Sequence, residues 1–222
     1  MIAGSLAIDF HGHELILHPE GAVWWPASGS LILSDVHFGK SATFRAHGIP
    51  VPEGVRQEDL DRIDRLIAQL DAQSLHIVGD FLHSNASIPA PLEEELQGWL
   101  DRLPCEVTLI LGNHDPSPAQ LRSLDGLRCL DQEEKSGITL IHDPADAQAG
   151  RPTIAGHLHP LCRIGGKRGP GIRVPGFYLW NSCLVLPAFG TFTSGSLVEL
   201  RGPRCAFHPI IDGKVQRAIR PK

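Results

Sequence analysis

No apolar run in the 222 residues comes near the length needed to cross a bilayer. The longest, such as 31–33 and 108–111, fall far short of the roughly 20 residues a membrane helix requires, so a transmembrane protein is excluded. The opening stretch MIAGSLAIDFHGHELILHPE has no basic start, and Asp9, His11 and His13 interrupt its apolar part, so it does not read as a secretory signal and a cytoplasmic protein is expected. Cysteine is scarce: Cys105, Cys129, Cys162, Cys183 and Cys205 are odd in number and form no CxxC pair, which argues against a disulfide scaffold and a zinc ribbon and predicts reduced, mostly buried thiols. GxSxG, HExxH and GxGxxG are all missing, so acyl-hydrolase, zincin and dinucleotide-binding readings have no support. Phe38-Gly39-Lys40-Ser41 imitates the end of a P-loop, but Ser34 stands where that motif needs its first glycine.

What the chain does have is enough apolar residue, 42%, with 20% charged, to bury one core, and a single domain over 1–222 is expected. Its net charge of −5 hides an asymmetry: residues 1–162 carry 10 Lys/Arg against 23 Asp/Glu, and 163–222 carry 10 against 2. The basic last quarter is either a solvated face with a tail or a surface that follows phosphates. There are 12 histidines, and the informative ones sit beside Asp, Asn or Gly.

Short apolar strands alternate with a few helices. Residues 5–10 and 14–17 read as a hairpin around His11-Gly12, and 29–33, 75–78 and 107–111 as buried strands. Leu60, Ile63, Leu66, Ile67 and Leu70 recur at helical spacing in 55–70, and 91–100 reads as a second helix with Pro91 in its first turn. Later segments, 138–141, 153–155, 173–179, 183–186, 196–200 and 205–211, read as strands, with 163–175 as a long Gly/Pro/Arg-rich loop. Strand-helix units followed by strands predict a layered α/β protein with more than one sheet.

The chemistry gathers at strand ends: Asp35-Val36-His37, then Gly79-Asp80, then Gly112-Asn113-His114-Asp115, then His142, then His157-Leu158-His159. Ligands of open α/β sheets bind at the carboxyl edges of strands, so these residues are expected to converge. Two divalent cations roughly 3.5–4 Å apart need an anionic oxygen reaching both, imidazoles and oxygens around them, and open positions for water and substrate. Asp80 is the natural bridge. Asp35, His37 and His159 would complete one ion's shell, and Asn113, His142 and His157 the other's. The alternating pairs are useful only if the chain turns there, which glycines 39, 79, 112 and 156 make cheap. A His/Asp/Asn set without thiolate suits Mn, Fe or Zn better than Mg or Ca.

This order of motifs, DxH, GD, GNHD, a strand-end His and GHLH, resembles the calcineurin-like metallophosphoesterase superfamily over about residues 30–160. The resemblance implies a two-sheet β-sandwich flanked by helices in αββα layers, a dinuclear site and phosphoester hydrolysis. More narrowly, GDFLHS (79–84), IHDP (141–144), AGHLHP (155–160), LPAFGTFTSG (186–195) and LSDVHFGKSATFRAHGIPVPEG (33–54) resemble the bacterial ligase-associated DNA-damage-response endonucleases of the PdeM type. That branch implies a manganese-dependent DNA phosphodiesterase associated with a DNA ligase, an Lhr-type helicase and a nuclease. Three departures stand out: His83 where the superfamily places an acidic residue, a shift the branch shares; Asp143-Pro144 after His142 in place of a glycine; and Val174-Pro175-Gly176-Phe177, read as part of a loop, where the branch has Pro-Cys-Phe.

The expected reaction is in-line displacement at phosphorus by a hydroxide generated between two metal ions. His114 would serve as general acid toward the leaving alkoxide, with Asp115 either its partner or a cap of the turn into Pro116. His83 either contacts the phosphate or is a hydrogen-bonded loop histidine. His11, His13, His18, His47, His76 and His208 are expected to be structural or exposed, although His47 could line the site. Competing readings are a phosphodiesterase or phosphomonoesterase for small nucleotides or nucleotide-sugar lipids, and a non-catalytic DNA- or protein-binding scaffold, which the full ligand set disfavours. The basic last quarter favours a polyanion.

Overall fold

The computed structural model describes residues 2–39, 55–83, 88–165, 171–191 and 193–221. His47, with most of the 33–54 motif, and Ser84 lie outside the described residues. The chain opens on β1 (Leu6–Phe10) and β2 (His13–Leu17). Their two-residue turn has positive φ at both His11 (53°) and Gly12 (85°), the twist that matches paired strands. Strands β3 (Val23–Trp25) and β4 (Ser30–Leu33) extend the antiparallel part. From β4 the sheet turns parallel through β5 (Ser74–Val78), β6 (Glu106–Ile110) and β7 (Leu127–Leu130), so seven strands lie in sequence order. Helices α1 (Val55–Leu70), α2 (Ala90–Leu100) and the short α3 (Pro118–Leu121) make the crossovers.

Side-chain alternation sets the layers. Leu31, Leu33, Leu75, Ile77, Val107 and Leu109 bury against Leu60, Ile63, Leu66, Ile67, Leu96 and Trp99 of the helices. Residues of the opposite face, Ile32, Val78 and Ile110, pack instead on Ile138, Leu140, Ile154, Phe177 and Leu184 of a second sheet. Trp99 is fully buried and satisfies its indole N–H by donating to Asp64 at 2.8 Å.

The second sheet contains β8 (Glu133–Lys135), β9 (Ile138–Leu140), β10 (Thr153–Ala155), β11 (Pro160–Ile164), β12 (Ile172–Trp180), β13 (Cys183–Val185) and β14 (Ser196–Leu197). Their order is β14-β11-β12-β13-β10-β9-β8, and β15 (Cys205–Ile211) pairs with β12 and carries β16 (Lys214–Val215). Strands β9, β10 and β13 are mutually parallel. Ile141, Ala155, Cys162, Tyr178, Val185 and Phe207 bury on this sheet's outer face. The result is a two-sheet sandwich in which α1–α3 pack on the first sheet. No helix among the described residues is long and apolar enough to cross a membrane. All five cysteines are free; burial pushes the Cys183 thiol up to about 12 and that of Cys129 to about 11, so both stay protonated.

The helix expected over 55–70 and the strands expected over 153–155 and 205–211 stand at those bounds. The loop expected over 163–175 is corrected at its two ends, and its residues 166–170 lie outside the described residues: β11 and β12 pair antiparallel with Leu161 opposite Pro175, Cys162 opposite Val174, Arg163 opposite Arg173 and Ile164 opposite Ile172. Burial of Cys162 and Val174 on one face holds this ladder despite its poor strand composition. Residues 174–177 therefore lie inside β12 and not in a loop.

Candidate metal centre

The parallel strands of both sheets end on one side of the sandwich, and main-chain hydrogen bonds lace their ends together. The Asp35 amide donates to the Gly79 carbonyl at 3.1 Å and His37 to Asp80 at 2.8 Å, while Phe189 and Gly190, which follow β13, donate to Ser34 (2.9 Å) and Asp35 (3.2 Å). The His157 amide, after β10, reaches the Asp35 carboxylate at 3.0 Å. In this way the 186–190 segment joins the two sheets at the DxH turn.

The turns come from the predicted site residues themselves. Asp35, His37, Asp80, His157 and His159 all adopt left-handed backbone, with φ of 52°, 50°, 47°, 67° and 44°. Such conformations cost roughly 1–2 kcal/mol for an L-residue and persist where surroundings impose them. Of the glycines expected to supply these turns, Gly39 and Gly79 have positive φ, but Gly112 and Gly156 do not. Their role is close approach. A Cβ on Gly112 would collide with Asp80, and one on Gly156 would sit 2.6 Å from Asp35 Oδ2 and 2.7 Å from the Val78 carbonyl oxygen. Gly156→Ala is therefore expected to lose about 1–3 kcal/mol in urea unfolding, as overpacked interiors do, and to weaken metal uptake. Unchanged stability would mean that this contact is not tight.

The side chains gather into two groups. In the first, His159 Nε2 lies 3.1 Å from Asp35 Oδ1 and 3.3 Å from His37 Nε2. In the second, His142 Nε2 lies 3.1 Å from His157 Nδ1 and 3.1 Å from Asn113 Oδ1. Asp35, His37 and His159 offer donor atoms within 4.8 Å of one another, as do Asp80, His142 and His157. The Asp80 carboxylate divides between them, with Oδ2 3.7 Å from His37 Nε2 and Oδ1 3.5 Å from His142 Nε2. Asp35, His37, Asp80 and His142 are buried. Facing imidazole nitrogens and carboxylate oxygens in a buried setting are electrostatically costly unless a shared cation or proton satisfies them.

Further contacts orient these rings. His159 Nδ1 is 2.7 Å from the Ser194 carbonyl oxygen, and His142 Nδ1 is 3.4 Å from that of Val78, so each ring can donate there and keep Nε2 as an acceptor. His157 turns Nδ1 toward the second group and has Nε2 3.9 Å from Asp143, whose carboxylate also accepts from the Ala145 amide. Sequence reasoning missed Ser194 and Val78 because a carbonyl acceptor has no side-chain signature, although Ser194 lies inside the 186–195 motif.

His114 and Asp115 part company. The exposed His114 ring stacks on His83, centroids 5.9 Å apart, and stands 5.5 Å from the ring of His37. The His114 amide donates to Asp80 Oδ1 at 2.9 Å. His83 Nδ1 is 3.4 Å from His37 Nδ1. The Asp115 carboxylate accepts from the amides of Leu82 and Gly112, both at 2.8 Å, which braces the loop after β6 on the one after β5. Burial pushes this carboxyl up to about 7 against the pull of those amides.

Behind the site, Arg62 of α1 reaches Asp59 and the Phe189 carbonyl, each at 2.9 Å, and Glu20 at 2.8 Å, while Asp59 accepts from Thr191 Oγ1 at 2.7 Å. This network clamps the segment that holds the Asp35 turn. The sequence shows only an i,i+3 charge pair on a helix, which by itself reads as solvated. Of the remaining histidines, His18, His76 and His208 are buried and burial lowers their pKa values; none belongs to either group.

Comparison with known proteins places the chain in a family. Residues 30–180 match the family of calcineurin-like phosphoesterases. A nuclease from Pseudomonas putida, MPE, is similar in structure at a TM-score of 0.79, with 30% identity over 97% of this chain and 100% of that one. A phosphoesterase from E. coli, Yfce, aligns over 86% of this chain and 97% of its own at 16% identity and a TM-score of 0.44. No curated protein sequence matches. With a hydrolase family model covering most of its length, a fold of two sheets and few helices, and two candidate ligand groups of the kind that the family's dinuclear divalent metal centre requires, the chain belongs to the calcineurin-like phosphoesterases and is a hydrolase of phosphoester bonds.

Proposed function

We propose that the chain is a manganese-dependent DNA endonuclease that acts in DNA repair. The observation that carries the metal reading is the Asp80 carboxylate, one oxygen toward each donor group. Asp35, His37 and His159 would hold one ion, Asn113, His142 and His157 the other, and Asp80 would serve both. Two such ions lower the pKa of water toward neutrality and neutralise charge on phosphoryl oxygens. His114, exposed at the edge of both groups, gives its proton to the leaving alkoxide. His83, stacked on it, contacts the phosphate, and Asp115 keeps the His114 loop in place through its amide bonds. The His/Asp/Asn donors suit manganese, iron or zinc, and the branch resemblance selects manganese.

For DNA as substrate, the support is the alignment with the P. putida nuclease and the basic last quarter of the chain. The branch resemblance further supports association with a DNA ligase, an Lhr-type helicase and a nuclease. The test is incubation of a closed single-stranded DNA circle with the purified chain and Mn²⁺, beside an EDTA control. Linear products that vanish with EDTA are expected. An intact circle, with bis(p-nitrophenyl) phosphate still hydrolysed, would reject the endonuclease and move the substrate to DNA ends or small phosphodiesters.

A further inference from the structure

The β11–β12 hairpin contains a placement that strand pairing disfavours. Arg163 and Arg173 are directly opposite in its antiparallel register, and both are exposed. Like charges in that position repel, and neither arginine has an acidic partner among the described residues. A polyanion would turn that repulsion into a binding site.

The topology says where the pair stands. Strand β13 ends at Val185, opposite Tyr178 of β12, and the residues of β12 before Tyr178 run on past that carboxyl edge. Strand β11 leaves the metal centre directly after His159 and continues in the direction of β10, because both run antiparallel to β12 or parallel to its antiparallel neighbour. Arg163 is four positions beyond His159, about 13 Å along an extended strand. The facing can be read from alternation along β12. Phe177 packs between the sheets, whereas Tyr178 packs on the outer face with Cys162. Pro175 and Arg173 therefore share the face of Phe177, which is turned toward the first sheet and the metal centre, and Leu161 and Arg163 join them from β11. Leu161, half-buried, and Leu197, 42% exposed and paired with it, lay an apolar floor beside the two guanidiniums.

We infer that Arg163 and Arg173 clamp the phosphodiester backbone of a nucleic-acid strand a few nucleotides from the bond being cut; this rests on the nuclease reading above. Guanidinium forks suit phosphate oxygens, and the apolar floor suits sugar and base faces. A distance of about 13 Å corresponds to roughly four nucleotides of B-form rise, so the clamp meets a neighbouring phosphate of the strand, which a small phosphodiester held at the metal centre does not have.

The experiment compares the unaltered chain with Arg163→Gln/Arg173→Gln and with Arg163→Lys/Arg173→Lys. Affinity for a labelled oligodeoxythymidylate is measured by anisotropy across a salt series, with bis(p-nitrophenyl) phosphate hydrolysis and Tm alongside. The Gln pair is expected to weaken DNA binding at least about tenfold and to flatten the log-affinity against log-salt slope by about 1.4, or 0.7 per lost contact on a single strand. The Lys pair should keep most of that slope. Hydrolysis of the small ester should be unchanged, and Tm unchanged or higher, because repulsion is relieved. Equal DNA affinity and slope in the Gln pair would overturn the clamp, as would a fall in Tm together with loss of small-ester hydrolysis. Failure of the nuclease reading shows separately: the unaltered chain would then leave DNA uncut while hydrolysing the small ester, and the binding comparison would still decide the clamp.

Discussion

Asp80→Asn is expected to abolish phosphodiester hydrolysis and to leave at most one tightly held metal ion per chain. The substitution keeps the shape of the side chain, and its remaining oxygen can still accept the His114 amide, so the loop after β6 should hold its position. What disappears is the second anionic oxygen. In the structure Oδ1 faces His142 and Oδ2 faces His37, and an amide nitrogen in either place presents hydrogens to a cation. The expected fall in rate exceeds about 10³-fold, beyond the roughly 10–100-fold typical when a group that merely orients a ligand is lost. Metal content after dialysis and turnover of bis(p-nitrophenyl) phosphate are the measurements. Two retained ions with a rate near that of the unaltered chain would remove Asp80 from its bridging role.

His114→Ala should behave differently: both ions stay, and the rate on DNA falls by roughly 10² to 10⁴. The side chain lies outside both donor groups, and only its main-chain amide touches Asp80, a bond the alanine keeps. If the ring delivers a proton to the leaving alkoxide, the loss should be large for DNA and small for bis(p-nitrophenyl) phosphate, whose leaving group departs without one. Equal losses on both substrates would point to phosphate binding in place of proton transfer. His83, stacked on the same ring, then becomes the residue to substitute next.

Much of this site was legible in the chain because metal chemistry restricts residue type and strand ends restrict place. DxH, GD, GNHD, His142 and GHLH each follow an apolar strand, and the structure brings all seven residues named from them into two adjoining groups. The contacts that aim them were not legible. Ser194 and Val78 act through carbonyl oxygens, and Asp143, which follows a candidate ligand, reads as an irregularity until His157 is seen 3.9 Å away. Glycine likewise suggested turns at 112 and 156, whereas the turning is done by Asp35, His37, Asp80, His157 and His159 and these two glycines make room. Backbone handedness at a non-glycine residue is imposed by surroundings, so no local pattern announces it.

The fold divides along the same line. Long periodic segments such as α1, and strands with continuous apolar runs such as β5 and β6, follow from the sequence because their burial is written in their own residues. Strands β3, β7, β8, β11 and β16 are short or polar, and they exist because a neighbour supplies the ladder; β8 is Glu-Glu-Lys, held by pairing with β9. The residue types at the candidate metal centre, and the strand ends that carry them, are written in the sequence. Long-range pairing decided that β4, β5, β9, β10 and β13 finish side by side, and that β11 and β12 pair with Arg163 opposite Arg173. Those facts depend on hydrogen bonds and packing between residues far apart in the chain, and such pairings have no local signature.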